Sequence, residues 1–123
     1  MTTLGVDYGE KRIGVAVTDA ALAEPVAVVN SGPDAIEAIK QWAEKYQAER
    51  VVVGISEQSM AQKSRSFGEQ LRRAGLRVEF YDETLSSHEA GERLKHKSRQ
   101  FRSQPQDAYQ AAVMLQDWLD GII

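Results

Sequence analysis

The chain has 123 residues, 42% hydrophobic and 27% charged, with a net charge of −3. That is the scale and composition of one soluble globular domain with one core, and residues 1–123 read as a single domain. With no cysteine and two histidines, a disulfide framework and a thiolate metal site are excluded, and little remains for a structural zinc centre.

Leu4 to Tyr8 and Arg12 to Thr18 read as two strands joined by a tight turn at Gly9-Glu10-Lys11. The first sets Leu4, Val6 and Tyr8 against Gly5, Asp7 and Gly9; the second sets Ile13, Val15 and Val17 against Gly14, Ala16 and Thr18. Val26 to Val29 is a third strand, ending at the turn signal Asn30-Ser31-Gly32-Pro33. The period then becomes helical, with Ile36, Ile39, Ala43 and Tyr46 on one face of a helix from about Asp34 to Gln47. Arg50 to Ile55 is a β-branched run suited to a strand buried on both faces.

Phe67, Leu71 and Ala74 mark a second helix closed by Gly75, and Arg77 to Tyr81 is the fifth strand. Ser86-Ser87-His88-Glu89 has capping-box spacing and opens a third helix toward Leu94. The last helix begins near Pro105 and buries Ala108, Ala112, Leu115, Leu119 and Ile122. The order βββαβαβαα predicts an antiparallel meander extended by parallel strands through right-handed crossovers. The expected fold class is therefore α/β, a mixed five-stranded sheet with helices on both faces.

No apolar run approaches the roughly 20 residues of a membrane-spanning helix. Met1-Thr2-Thr3-Leu4 has neither the basic nor the apolar region of a signal peptide. The cytoplasm is the expected location, with no membrane partner.

Asp7 is the residue that calls for an explanation. It lies in a strand otherwise made of apolar residues and glycine, where an unpaired charge is costly to bury. Gly5, Gly9, Gly14 and Ala16 surround it, leaving room for an ion and for a substrate backbone. A buried aspartate satisfied by backbone donors fits the spacing equally well. Asp82 and Glu83 follow the last strand and should point to opposite faces, so one of them could share a site with Asp7. Asp107 lies in the first turn of the last helix, where the helix dipole by itself favours an acid. Glu57 has the setting of a solvated surface residue.

Together these acids come to one edge of the sheet. Crowded carboxylates repel unless divalent cations bridge them, and Mg2+ or Mn2+ suits an all-oxygen set and keeps waters that can become the nucleophile. Arg93, Lys95, Lys97, Arg99 and Arg102 form a basic stretch with His96 and Phe101 interleaved, suited to gripping phosphates and stacking on a base, or else to a solvated helix end whose cations complement the dipole. In a chain of net negative charge, this local excess points to nucleic acid held locally rather than by bulk attraction. Lys63, Arg65, Arg72 and Arg73 make a looser patch, read as a solvated helix face.

Val6-Asp7-Tyr8-Gly9-Glu10-Lys11-Arg12-Ile13-Gly14-Val15-Ala16-Val17 closely resembles the opening strand-turn-strand of the YqgF (RuvX) family. Tyr81 to Ala90 resembles its second motif and Asp107 to Gln116 its third, in the same order along nearly the whole chain. The resemblance implies a ribonuclease H-like fold related to Holliday-junction resolvases. It also implies a metal-dependent nuclease that trims the 5′ end of the 16S rRNA precursor. By motif, Asp7, Glu83 and Asp107 are the catalytic acids and metal ligands. Lys11, Arg12, Lys97, Arg99 and Arg102 are the expected substrate contacts.

The chain departs from the family pattern at Ser56, where a proline and a longer loop are usual, and at Thr84, where an arginine is usual. Precursor rRNA is the expected partner, with branched DNA as the alternative, for a monomer or a homodimer. Two other readings remain: a Holliday junction resolvase-like DNA endonuclease, and an inactive nucleic-acid-binding protein of the same fold. The first hairpin also resembles that of the actin and hexokinase ATPases, but those close two such domains on a nucleotide and this chain supplies one.

Overall fold

The computed structural model describes residues 1–19, 21–55, 59–82 and 106–121. Five strands, β1 (Thr3–Tyr8), β2 (Arg12–Thr18), β3 (Glu24–Asn30), β4 (Arg50–Ile55) and β5 (Val78–Asp82), form one sheet of order β3-β2-β1-β4-β5. β1 pairs antiparallel with β2, and β2 with β3, while β4 lies parallel to both β1 and β5. The mixed sheet expected from the sequence is the one observed. The helices are α1 (Ala35–Tyr46), α2 (Ser59–Arg73) and α3 (Gln106–Gly121). The helix expected from Ser86 toward Leu94 lies outside the described residues, as does Ile122.

Strand alternation sorts side chains onto two cores. Leu4, Val6, Ile13, Val15, Val51, Val53 and Val78 pack with Ile39 and Ala43 of α1 and with Phe67 and Leu71 of α2. On the other face Ala16 and Val52 pack with Ala111, Ala112, Met114, Leu115, Trp118 and Leu119 of α3. Helices therefore cover both faces. β4 is buried along Val51–Ile55 because one core claims its odd-numbered valines and the other claims Val52.

The helix ends follow from backbone hydrogen bonding. After α2, Gly75 takes φ of +100°, and the amides of Gly75 and Leu76 return to the carbonyls of Arg72 and Leu71; this closes the last turn in the left-handed conformation glycine accepts most readily. Gln47 performs the same turn after α1 at φ of 53°. Its amide bonds the Glu44 carbonyl, and Ala48 bonds Ala43.

Candidate active site

Three strand ends and one helix start build the site. The β1–β2 register sets Asp7 opposite Gly14, and the parallel β1–β4 register sets it beside Gly54. Residues paired across neighbouring strands share a face of the sheet, so Asp7, Gly14 and Gly54 face the same way. That face is the one α3 covers. A Cβ placed on Gly14 would stand 1.9 Å from the carbonyl oxygen of Asp107 and 2.5 Å from its carbonyl carbon. The first turn of α3 thus rests directly on the backbone of β2, one strand from Asp7. Two acids far apart in sequence come together at one edge of the sheet, Asp7 half-buried and Asp107 with 37% of its side chain exposed.

This geometry corrects one reading of the sequence. Gly5 and Gly14 do not leave space for substrate, because α3 occupies that space: a Cβ on Gly5 would come within 2.9 Å of Leu115 Cβ. Gly9 serves the turn, since its Cβ would stand 2.5 Å from the Arg12 carbonyl oxygen.

Arg12 lies on the same face, two residues before Gly14, and its Nε donates to Asp107 Oδ2 at 2.8 Å. Lys11 is exposed at the turn, and its carbonyl accepts the Ser31 amide at 2.9 Å. The Ser31 hydroxyl donates to the Gly9 carbonyl at 2.6 Å, so the loop after β3 clasps this turn. From the other side Lys63 of α2 meets Glu10 at 2.5 Å. That contact holds the Glu10 carboxyl below its ordinary range and the Lys63 ammonium above its own. Lys63, read from sequence as plain solvated surface, therefore also ties α2 to the turn.

Asp82 pairs with Ile55, one step beyond the Tyr81–Gly54 pair that adjoins Asp7. Alternation consequently sends Asp82 to the face opposite Asp7. Glu83, Glu57, Ser56, Thr84, Lys97, Arg99, Phe101 and Arg102 lie outside the described residues. Among the described residues no three His, Asp or Glu side chains gather closely enough to hold a metal ion. Asp7 and Asp107, the acids brought to this edge, offer carboxylate oxygens, the chemistry that suits Mg2+ or Mn2+, in a chain with no thiol to favour a softer ion.

Two features of α3 escaped the sequence reading. Tyr81, on the Asp7 face, donates its hydroxyl to the buried carboxylate of Asp117. Burial, then the bond to Asp117 and the negative charges of Asp117 and Asp82, push the phenol up to about 12, so near neutrality it is a hydrogen-bond donor. Gln116 is fully buried; its Oε1 accepts the Ala23 amide at 2.8 Å and its Nε2 donates to Asp120 at 2.9 Å. Asp117 falls outside the stripe Ala108, Ala112, Leu115 and Leu119 that the sequence marks as buried. No pattern in the sequence marks it otherwise.

The chain is similar to known proteins. A relative from Anaeromyxobacter sp. (strain K) named "Putative pre-16S rRNA nuclease" is 41% identical over 133 aligned positions, spanning 98% of this chain and 97% of its own. Among solved structures, T. thermophilus RuvC in complex with a Holliday junction substrate superposes with a TM-score of 0.63 at 18% identity, covering 99% of this chain and 95% of that one. The match carries the ribonuclease H-like fold. The ROK hexokinase of Thermus thermophilus matches at a TM-score of 0.50 and 19% identity, but over 73% of this chain and 38% of its own. The hairpin shared with the ATPases is thus a likeness of part of their fold. The family model described as RuvX, Holliday junction resolvase, matches residues 1–121, and the chain belongs to that family.

Proposed function

We propose that this protein is a nuclease that hydrolyses phosphodiester bonds of RNA, processing the 5′ end of the 16S rRNA precursor in the cytoplasm. The observation that carries the reading is the convergence of Asp7 and Asp107 on one face at one edge of the sheet, within a chain whose relatives bear the nuclease name along their full length. Asp7, Glu83 and Asp107 are the proposed acids. Asp82 turns away from Asp7, and Glu83 is the member of that pair proposed for the site.

These carboxylates would hold Mg2+ or Mn2+, which when bound supplies an activated water and offsets charge on the phosphate. Asp7 and Asp107 orient the reacting end of the site from β1 and from α3, whose first turn rests on the neighbouring strand β2. Lys11 and Arg12 stand at the same edge to bind a phosphate, and Lys97, Arg99 and Arg102 are proposed to grip the strand beyond it. Tyr81, neutral and engaged with Asp117, holds β5 to α3 and takes no proton from substrate.

A second reading, a resolvase-like endonuclease on branched DNA, is favoured by the family description and by the RuvC likeness. Cleavage of a labelled 16S precursor and of a four-way DNA junction, with Mg2+, Mn2+ or chelator, separates the two. We expect the RNA to be cut with metal only. Asp7→Asn should lose cleavage while keeping RNA affinity, and its melting temperature should hold or rise because one of several crowded acids is gone. A drop in stability of about 1–3 kcal/mol, expected for lost buried hydrogen bonds, would instead make Asp7 structural. A variant that cuts as well as the wild type would end the catalytic assignment.

A further inference from the structure

Arg12 meets an acid of the proposed site. Its Nε–Oδ2 contact with Asp107 is 2.8 Å long, and 60% of the Arg12 side chain and 37% of the Asp107 side chain remain exposed. Among the described residues this is the guanidinium's one hydrogen bond, although arginine has five N–H donors and often binds a carboxylate through two. An exposed pair with one contact is weak and easily exchanged.

Another arginine of the same chain shows the opposite design. Arg50 is 18% exposed, bonds Glu79 at 3.0 Å and lies 5.2 Å from the centre of the Trp118 ring, so it is fixed from several sides. The other acid of the Arg12 turn, Glu10, is held by Lys63. Once released from Asp107, Arg12 therefore has no partner waiting on its own turn.

We propose that Arg12 is a displaceable counter-ion. Without metal it neutralises and holds the Asp107 carboxylate; when a divalent cation takes that carboxylate, the guanidinium passes to a phosphate of the substrate. The inference rests on the nuclease reading and deepens it by assigning Arg12 two successive partners. It makes Arg12 a positioning residue that couples metal loading to phosphate capture. Cation binding and RNA binding then strengthen each other, since each removes a competitor of the other, and such coupling is reciprocal.

The test uses Arg12→Ala and Arg12→Gln, checked for folding by circular dichroism. Mn2+ binding is measured by electron paramagnetic resonance without RNA, and binding of a labelled oligoribonucleotide is measured in EDTA and in Ca2+. Both variants should bind Mn2+ about three- to fivefold more tightly than wild type, the effect of removing an exposed ion pair that competes for the ligand. They should bind RNA more weakly in Ca2+, with a salt slope lower by about one, and equally well in EDTA. Unchanged or weaker Mn2+ binding overturns the inference, as does an RNA defect of equal size in EDTA. Wild type that binds and cleaves alongside variants that bind Mn2+ identically sinks the counter-ion role and leaves the nuclease standing. Wild type that binds no Mn2+ removes both.

Discussion

At the scale of single residues, Gly14 ranks with the acids in importance although it has no side chain. Asp7 can share a site with Asp107 only if the start of α3 lies against β2, and the 1.9 Å separation from the Asp107 carbonyl oxygen leaves no volume for a methyl group. The obstructing atom is backbone and cannot rotate away. Gly14→Ala should therefore destabilise the domain by about 3 kcal/mol or more, a large share of the roughly 5–15 kcal/mol that such domains possess. Cleavage should fall with it, though no acid is touched; a urea melt beside the cleavage assay checks both. Asp7 was legible in the sequence because a carboxylate inside an apolar strand needs a reason. The role of Gly14 was half legible: smallness was visible, but whether helix or substrate filled the gap depends on a contact between segments 93 positions apart.

At the scale of elements, period-2 and period-3.6 patterns located every described strand and helix, because each buries one face or both against a single layer. The ends moved where pairing, which the sequence does not display, extended a strand. Thr3 joins β1 by pairing with Thr18 and Arg50. β3 runs from Glu24 instead of Val26 because an extra residue between Ala27 and Pro25 lets the chain continue past Pro25, which an edge strand tolerates. α1 begins and ends as expected, yet its closing turn places a non-glycine residue, Gln47, at φ of 53°. A side chain there costs energy that glycine does not incur. Gln47→Gly should stabilise the domain by about 0.5 kcal/mol after the added unfolded-state entropy is subtracted. By calorimetry the melting temperature should rise by about 2–3 °C, with cleavage unaffected because the turn is remote from the Asp7 edge.

At the scale of the whole molecule, the two cores lie on opposite faces of the sheet among the described residues, and α3 is held to its face by apolar packing and by polar ties the sequence concealed. Tyr81 to Asp117 is one such tie. The folded phenol titrates at about 12 against an ordinary value of 10.0, so the native state binds this proton more tightly than the unfolded chain does. The resulting stability is complete below about pH 10 and is lost as pH climbs from about 10 to about 12. Tyr81→Phe should flatten that part of the stability profile relative to wild type, measured by denaturant melts at stepped alkaline pH. An unaltered profile would assign the alkaline loss to other groups, Lys63 among them, whose raised value acts in the same direction.

The seat of α3 on Gly14 also bears on when the protein becomes active. Translation delivers chain from the N-terminus, and segments fold as they emerge. β1 and β2 appear first, while the helix that lies on them is made after all five described strands. A nascent chain synthesised as far as β5 carries Asp7 but not Asp107, and lacks the helix that covers Gly5, Gly14, Ala16 and Val52. Such a chain is tethered within reach of ribosomal RNA while it lacks one of the acids proposed to cut it. The proposed site is therefore completed only after α3 has been made and has docked.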